Sequence, residues 1–449
     1  MTGTGSPASI RAPRDVVWIA RRLEEAGYQA WTVGGAVRDV LAGIEPEDWD
    51  LTTSAPPARV QRLFRRTVPV GVDHGTIGVI APGGRMFEVT TFRRDVETYG
   101  RRARVAFAER LEEDLERRDF TINAVAWHPV TGELRDPHNG IRDLQLRVLR
   151  TVGDPEKRFA EDRLRVLRAL RFAGRFGLRI DEATWNALCS SATLLENLSP
   201  ERVREELFKV LAGQRLPGES LRLYAESGVL RALYPELDRC RNRPAGRGAG
   251  DLWEHMVRTV DAASSRHLRV RLAGLLHRVG DATDLGPLGG DPSRAGGEAS
   301  AAISRTILVR LRSSNADIDT VTHLVAHHRP VPLADSPAPE LKRWMRRVGA
   351  AYLNDLFRLL AAICRAEGGA AGDLRRLHIR VRALRRQNPP LSVADLAIGG
   401  RELAGLGIPR GPIYGEILRD LLERVTEDPE LNRRDALLAI VREALEWHR

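Results

Sequence analysis

The sequence predicts an α+β protein, with a small sheet domain at the N-terminus and a long all-helical remainder. Three observations carry this. Short runs that alternate or stay apolar, Trp31 to Val33, Asp48 to Thr52, Val68 to Val70, Thr76 to Ile80 and Phe87 to Arg93, all fall in the first hundred residues, separated by glycine and proline. From Thr151 onward, apolar residues return every three or four positions, the period of amphipathic helices. Within the first part, a Gly34-Gly35 pair precedes two aspartates at i and i+2, Asp48 and Asp50, which give the sheet a chemical centre.

A formal charge of +10 and a pI near 10.1 favour a polyanionic partner. Cys189, Cys240 and Cys364 lie far apart without CxxC spacing, which argues against a disulfide framework or zinc ribbon and for a reducing setting. The first fifteen residues lack an apolar core, and no run of 18 or more apolar residues occurs. A soluble, cytoplasmic protein with no membrane partner is expected.

Residues 1–14 are small, polar and proline-containing and read as a disordered tail, followed by a helix from Asp15 to Ala26 on Val16, Ile19, Ala20 and Leu23. The strand ending at Val33 enters a Gly-Gly turn and a short helix, Ala36 to Leu41. Free N–H groups in such a turn, with the positive helix end behind them, suit a phosphate. Side chains two apart on a strand share a face, so Asp48 and Asp50 point together. Paired carboxylates repel unless a cation sits between them, and hard oxygen ligands favour Mg²⁺ with phosphate oxygens completing its shell. Glu88, on the strand Phe87 to Arg93, reads equally as a third carboxylate or as an edge-strand salt-bridge partner.

GGAVRDVLAG followed by DWDLTT resembles the class II tRNA nucleotidyltransferase and bacterial poly(A) polymerase family. The resemblance implies a polymerase-β-like palm in which Asp48 and Asp50 bind catalytic metal, with Gly35 and Arg38 at the nucleotide. Further on, Arg117-Arg118-Asp119-Phe120-Thr121-Ile122-Asn123-Ala124 pairs two arginines with an acid and an amide, a set that suits a triphosphate. It resembles the family's RRDFTINA motif, which implies that Arg118 contacts phosphate while Asp119 and Asn123 brace the ribose or the backbone.

In Glu161 to Arg171, arginine recurs every third residue, and Asp162 and Arg165 are i and i+3 on one helix face. A carboxylate acceptor beside a guanidinium donor matches the Watson–Crick edges of adenine and cytosine, which pair an exocyclic amine with a ring-nitrogen acceptor, and mismatches guanine and uracil. The pair therefore selects ATP and CTP without a template. The family's EDxxR motif matches Glu161, Asp162 and Arg165, and Arg168 and Arg171 match further nucleotide contacts, with Arg171 turned well round the helix from Asp162.

Asp95 to Phe107 reads as a polar, arginine-rich loop. The family's loop carries an acid before a Gly-Arg-Arg/His-Pro run and is associated with the switch from C to A addition. Here Tyr99 passes straight to Gly100-Arg101-Arg102-Ala103, so the loop is shortened and lacks both the acid and the proline. Asp251 to His255 and Leu272 to Arg278 resemble an HD-type phosphohydrolase, but Arg278 stands where the metal-binding version has Asp, so the region is expected to be degenerate. His327-His328 adds imidazoles nearby, and Gly286 to Gly297 reads as a flexible insertion. Gly407 to Pro412 opens a helix near Ile413, a turn that can meet a nucleic-acid phosphate.

The expected organisation is a tail (1–14), a palm-bearing head (15–150), a neck with the nucleotide-selecting helix (151–215), a helical body with the degenerate HD-like region (216–385) and a helical tRNA-binding tail (386–449). The expected activity is Mg²⁺-dependent, template-independent addition of the terminal CCA to the 3′ end and acceptor arm of tRNA, using CTP and ATP. The alternatives are a CC-only adder, which the shortened loop favours, an A-only adder, a poly(A) polymerase, an HD phosphohydrolase and a non-catalytic RNA-binding protein.

Overall fold

A computed structural model describes residues 10–99, 102–245, 250–282 and 292–447. They fall into two compact units, Met1–Val210 with Pro217–Pro235, and Leu211–Leu216 with Glu236–Arg449.

In the first unit, helix α1 (Arg14–Glu25) buries Val16, Ile19, Ala20 and Leu23 against a sheet. Ile10 and Ala12 pack on the same core, so the expected tail is ordered at its C-terminal end, and residues 1–9 lie outside the described set. Next come β1 (Ala30–Val33), α2 (Gly35–Leu41), β2 (Leu51–Thr53), α3 (Pro57–Leu63), β3 (Thr67–Gly71), β4 (Thr76–Ile80) and β5 (Met86–Thr91). The segment expected as a loop is instead an antiparallel hairpin of β6 (Arg93–Tyr99) and β7 (Arg102–Phe107), a separate two-stranded sheet. Its polar, arginine-rich composition concealed a backbone ladder, because a ladder is made by main-chain groups whatever the side chains are. Helix α4 (Leu111–Glu116), β8 (Ala126–Trp127), β9 (Leu134–Arg135) and α5 (Gly140–Gln145) complete the head. The main sheet runs β3-β4-β5-β2-β1-β8-β9 among the described residues.

Register decides what each face carries. Leu51 pairs with Val89 in parallel, while Glu88 pairs with Gly78 and Gly78 with Val68 in antiparallel ladders. Leu51, Ile77, Val79 and Val89 therefore face the core shared with α1 and α3. Thr52, Thr76, Gly78, Glu88 and Thr90 face the other way. On that side, Trp31 and Val33 of β1 are covered by Leu111 and Leu115 of α4, whereas Val68, Val70 and Met86 stay exposed. Strand β2 begins at Leu51, so Asp48 and Asp50 precede it; Trp49 between them is buried in the core, which turns both aspartates outward.

Helices α6 (Pro155–Glu161), α7 (Leu164–Phe176), α8 (Glu182–Ser191) and α9 (Pro200–Gly213) follow. The continuous helix expected from Glu161 to Arg171 is broken at Asp162, which is extended at φ −149° and ψ 103°. Asp162 accepts from the backbone N–H of Leu164 at 3.1 Å, so its side chain starts the second helix instead of sharing a helical face with Arg165. Helix α7 packs tightly against Gly218–Glu226: a Cβ on Gly174 would lie 2.2 Å from the hydroxyl of Ser220.

The second unit is helical throughout the described residues. Of the expected flexible insertion, residues up to 291 lie outside the described set, and the remainder begins the helix Pro292–Arg310. The last part, Gly400–Gly405, Ile413–Glu427 and Arg434–Trp447, has its own core of Leu403, Leu421, Val425 and Leu437. Farther up the chain, His255, His277 and His328 are buried together. His277 Nδ1 donates to the carbonyl of Gly274 at 2.8 Å, so its Nε2 accepts from His255 Nε2 at 3.1 Å, and His255 Nδ1 is left without a partner among the described residues. Arg278 bonds Asp281 at 2.7 Å, and Arg329 reaches the same carboxylate at 2.5 Å. No three His, Cys, Asp or Glu side chains among the described residues are placed to hold a metal ion.

Burial first, then the arginines Arg278, Arg258 and Arg329, push His255 down to about 4 against the pull of Asp281; burial likewise brings His328 to about 4 and pushes His277 well below its ordinary value. The unfolded chain takes up these protons near pH 6.5 and the folded unit does not, so stability falls as pH drops from about 6.5 towards 4. Each of His255 and His328 accounts for about 3 kcal/mol of that loss by pH 4. Urea titrations at pH 7 and pH 5 should show the loss, and His328→Gln should flatten the slope.

Candidate active site

One end of the open sheet face meets α4 and α7 in a cleft of about 320 Å³, lined by Val33, Asp50, Thr52, Glu88, Thr90, Arg93, Asp114, Arg117, Arg118, Asp119, Asp162, Arg165 and Arg168 among others. That volume suits a nucleotide. Of the residues singled out from sequence, Asp50, Glu88, Arg117, Arg118, Asp119, Asp162, Arg165 and Arg168 line it.

Although Asp50 is exposed at the cleft mouth, the surrounding protein desolvates its carboxyl and raises it above its ordinary range; the neighbouring Glu88 and Asp48 carboxylates raise it further, and Arg118 opposes them. Asp48 itself stands at the rim with its side chain in solvent, 3.5 Å from Arg85. Glu88 follows from the register, since it stands one residue before the Leu51–Val89 pair and so beside Asp50. The three carboxylates leave negative charge unrelieved around Asp50, a donor set that suits a hard divalent cation; with fewer than three of them converging, phosphate oxygens would complete its shell.

Opposite the carboxylates lie the arginines. Asp114, buried on α4, takes Arg117 Nε at 3.2 Å and Arg118 Nη2 at 3.0 Å. Burial alone would raise Asp114, but the two guanidiniums outweigh it and hold it below its usual range. Arg118 Nε is buried without a hydrogen-bond partner among the described residues, a donor left for a ligand. Gly34 lets the arginine lie there: its φ is +71°, and a Cβ would fall 2.8 Å from Arg118 Nη1. Gly34, more than Gly35, is thus the glycine that the turn requires; Gly35 has only an ordinary 3.8 Å contact and does not line the cleft.

Asp119 accepts from Asn123 Nδ2 at 2.8 Å and from Arg168 Nη2 at 2.7 Å. Burial works against its charge, yet Arg168 and Asn123 win and bring it down to about 2. Asp162 accepts from Arg202 Nη2 at 2.7 Å, and Arg165 is held by Glu161 at 2.5 Å and by the carbonyls of Arg158 and Arg117. Both members of the expected base-reading pair are anchored from behind. Arg202 carried no signal in the sequence beyond its charge.

Besides Gly35, two expected ligands lie outside the cleft. Arg38 is only 5% exposed, donates to Asp39 and to Asn123 at 2.6 Å, and lies over the rings of Phe172 and Phe176. Arg171 is buried against Glu206 at 2.7 Å, because the break at Asp162 and the turn of α7 carry it to the far side. Both guanidiniums brace the site from outside the cleft.

A carboxylate cluster on a mixed sheet facing an arginine array is the arrangement of a nucleotidyltransferase head. Family models agree: the Poly A polymerase head domain matches residues 30–150, and the model described as a probable RNA and SrmB-binding site of polymerase A matches residues 177–241. A CCA-adding enzyme of Lactobacillus helveticus is 44% identical over 197 residues, 43% of this chain and 49% of that one, so this match spans about half the relative's length. One of Levilactobacillus brevis is 34% identical over 94% of this chain and 96% of its own. The crystal structure of the Bacillus stearothermophilus CCA-adding enzyme in complex with CTP superposes with a TM-score of 0.73 at 30% identity, covering 97% of this chain and 98% of that one. The chain belongs to the CCA-adding enzyme family.

The depressed Asp119 contributes stability that is complete above about pH 4 and lost as pH falls through about 2. Asp119→Asn should therefore lower stability at pH 7 by about 2 kcal/mol, with the gap to the wild type closing below pH 3; denaturation at the two pH values checks it.

Proposed function

We propose that this protein adds the 3′-terminal CCA to tRNA one nucleotide at a time from CTP and ATP, releasing pyrophosphate, in the cytoplasm. One observation carries the reading: a single cleft joins Asp50 and Glu88 to Arg117, Arg118 and Arg168, and to the anchored pair Asp162 and Arg165. No helix of the described residues is long and apolar enough to cross a membrane.

In the reaction the RNA 3′-oxygen forms a bond to the α-phosphorus and the bond to pyrophosphate breaks. Asp48 and Asp50, with Glu88 beside them, would hold Mg²⁺, which when bound offsets triphosphate charge and makes the 3′-hydroxyl more acidic. Arg118 donates to the triphosphate through the Nε left without a partner. Arg117 and Arg168 add positive charge along the leaving group, with Asp119 fixing Arg168 in place. Asp162 keeps lone pairs free beyond its bonds to Arg202 and Leu164, and accepts from the exocyclic amine of cytosine or adenine. Arg165 donates to the ring nitrogen beside it. Guanine and uracil meet donor against donor at this edge, so selection needs no template.

The deciding assay uses tRNAs ending before CCA, after C and after CC, with Mg²⁺ and with ATP and CTP together or singly. Every substrate should grow to CCA and stop. Arrest at CC would select the CC-only alternative raised by the shortened 95–107 segment, and long A tails would select a poly(A) polymerase. Asp50→Asn should lower kcat by roughly a thousandfold while CTP binding persists. Arg202→Ala should reduce discrimination against GTP and UTP, because it removes the anchor of Asp162 and leaves the carboxylates of the metal site in place; unchanged selectivity would sink the base-reading role.

A further inference from the structure

Nucleotidyl transfer brings two nucleotides together at the carboxylates, and the two have opposite requirements. The incoming nucleotide is read by polar side chains. The RNA terminus must be accepted whatever its base, because that base changes after every addition. A surface for it should offer apolar contact and no hydrogen-bonding pattern.

The open half of the sheet face has that character. Glu88, Gly78 and Val68 form one row across β5, β4 and β3, as the ladder pairs Glu88–Gly78 and Gly78–Val68 require, and Asp50, the residue before β2, continues it beside Glu88 by the register of Leu51 with Val89. With strands about 4.8 Å apart, the row starts at the carboxylate and ends about 14 Å away. Beyond Glu88 this face is apolar, and around the buried Gly78 its side chains are exposed: Val68 39%, Val70 45% and Met86 45%. Gly78 is bare, and a Cβ there would lie 2.8 Å from Met86 Sδ and 2.9 Å from Val70 Cγ2, so these two side chains close over the glycine into a continuous shelf.

The surroundings favour nucleic acid over protein. Arg66, exposed just before β3, alternates to the same face as Val68, whereas Arg85, 3.5 Å from Asp48, lies over the Phe87 ring at the sheet's edge. The edge strand β3 carries Pro69 at its centre, which lacks an N–H and so discourages strand addition by another chain. Exposed apolar surface that runs from the carboxylates to a cation at its far edge suits an unpaired nucleotide, whose base has an apolar face and whose phosphate is anionic.

We propose that Val68, Val70 and Met86, closed over Gly78, form a base-indifferent shelf on which the 3′-terminal base of the RNA acceptor stacks while its 3′-hydroxyl lies at Asp50. This rests on the transferase reading above and identifies the acceptor side of the same site.

The test is a cycle between protein and RNA. The variant Val68→Ser/Val70→Ser/Met86→Ser and the wild type would each extend a tRNA lacking only its last adenosine, carrying either a normal or an abasic 3′-terminal residue. CTP affinity is measured in parallel by equilibrium binding. Stacking on the shelf predicts that the wild type loses roughly tenfold in kcat/KM when the base is removed, that the variant loses a similar factor on the intact RNA, and that the two losses do not add. CTP affinity should be unchanged. A photoreactive 4-thiouridine at the RNA terminus should crosslink the wild type within 68–70 or at Met86, a result that does not depend on any variant folding.

Additive losses, an unaffected variant, or crosslinks confined to other strands would overturn the shelf while leaving the transferase reading intact. A wild-type dimer that the variant abolishes would reassign the surface to a second copy and overturn it too. Absence of incorporation by the wild type on every tRNA would overturn the transferase reading and the shelf with it.

Discussion

The site depends on a polar chain that ties α2 and the Asp119–Asn123 turn to α7. Arg175 bonds Asp39, Asp39 bonds Arg38, Arg38 bonds Asn123, Asn123 bonds Asp119, and Asp119 bonds Arg168. Its charges alternate, and most of its members lie under apolar or aromatic cover, including the Phe172 and Phe176 rings on Arg38. Removing one member would strand a buried charge, which is far more costly than the pair is stabilising. The chain helps set where α7 lies relative to the carboxylates, and so how far Arg165 stands from Asp50 across the cleft.

Arginine plays two parts within this one site. Arg117, Arg118, Arg165 and Arg168 line the cleft, whereas Arg38, Arg171 and Arg202 hold neighbouring groups in position. The planar guanidinium suits both, since it can give one edge to a carboxylate and another to a ligand. Asp114 shows the division of labour: it grips two arginines at once from beneath, and its own charge is kept by them.

Much of this was legible in the sequence because the relevant signals are local. Period-two runs located β1, β3, β4, β5 and the start of β2, though not the short β8 and β9, and the 3.6 period located α1 and the helices after Thr151, since each reports the face that residue spacing buries. What was not legible depends on contacts between distant segments. Arg38 and Arg118 read alike as cations near glycines or acids, and only the packing of Phe172 and Phe176, far along the chain, takes Arg38 out of the cleft. The helix break at Asp162 was hidden because the apolar period continues across it, while its cause is an aspartate that satisfies the N–H of Leu164. The ladder of β6 and β7 was hidden for the opposite reason, its main-chain pairing leaving little trace in side-chain pattern.

Gly34 shows how such a site resists genetic change. Any other residue there meets two separate obstacles, a backbone angle of +71° that L side chains rarely adopt and a Cβ 2.8 Å from the Arg118 guanidinium. The obstacles have different origins, one in the main chain and one across space. A second-site change that made room by shortening Arg118 would leave the main-chain strain and remove an arginine that lines the cleft; one that eased the turn would leave the collision. Single-step suppressors of a Gly34 substitution should therefore be absent from a revertant screen, and recovered clones should carry glycine again.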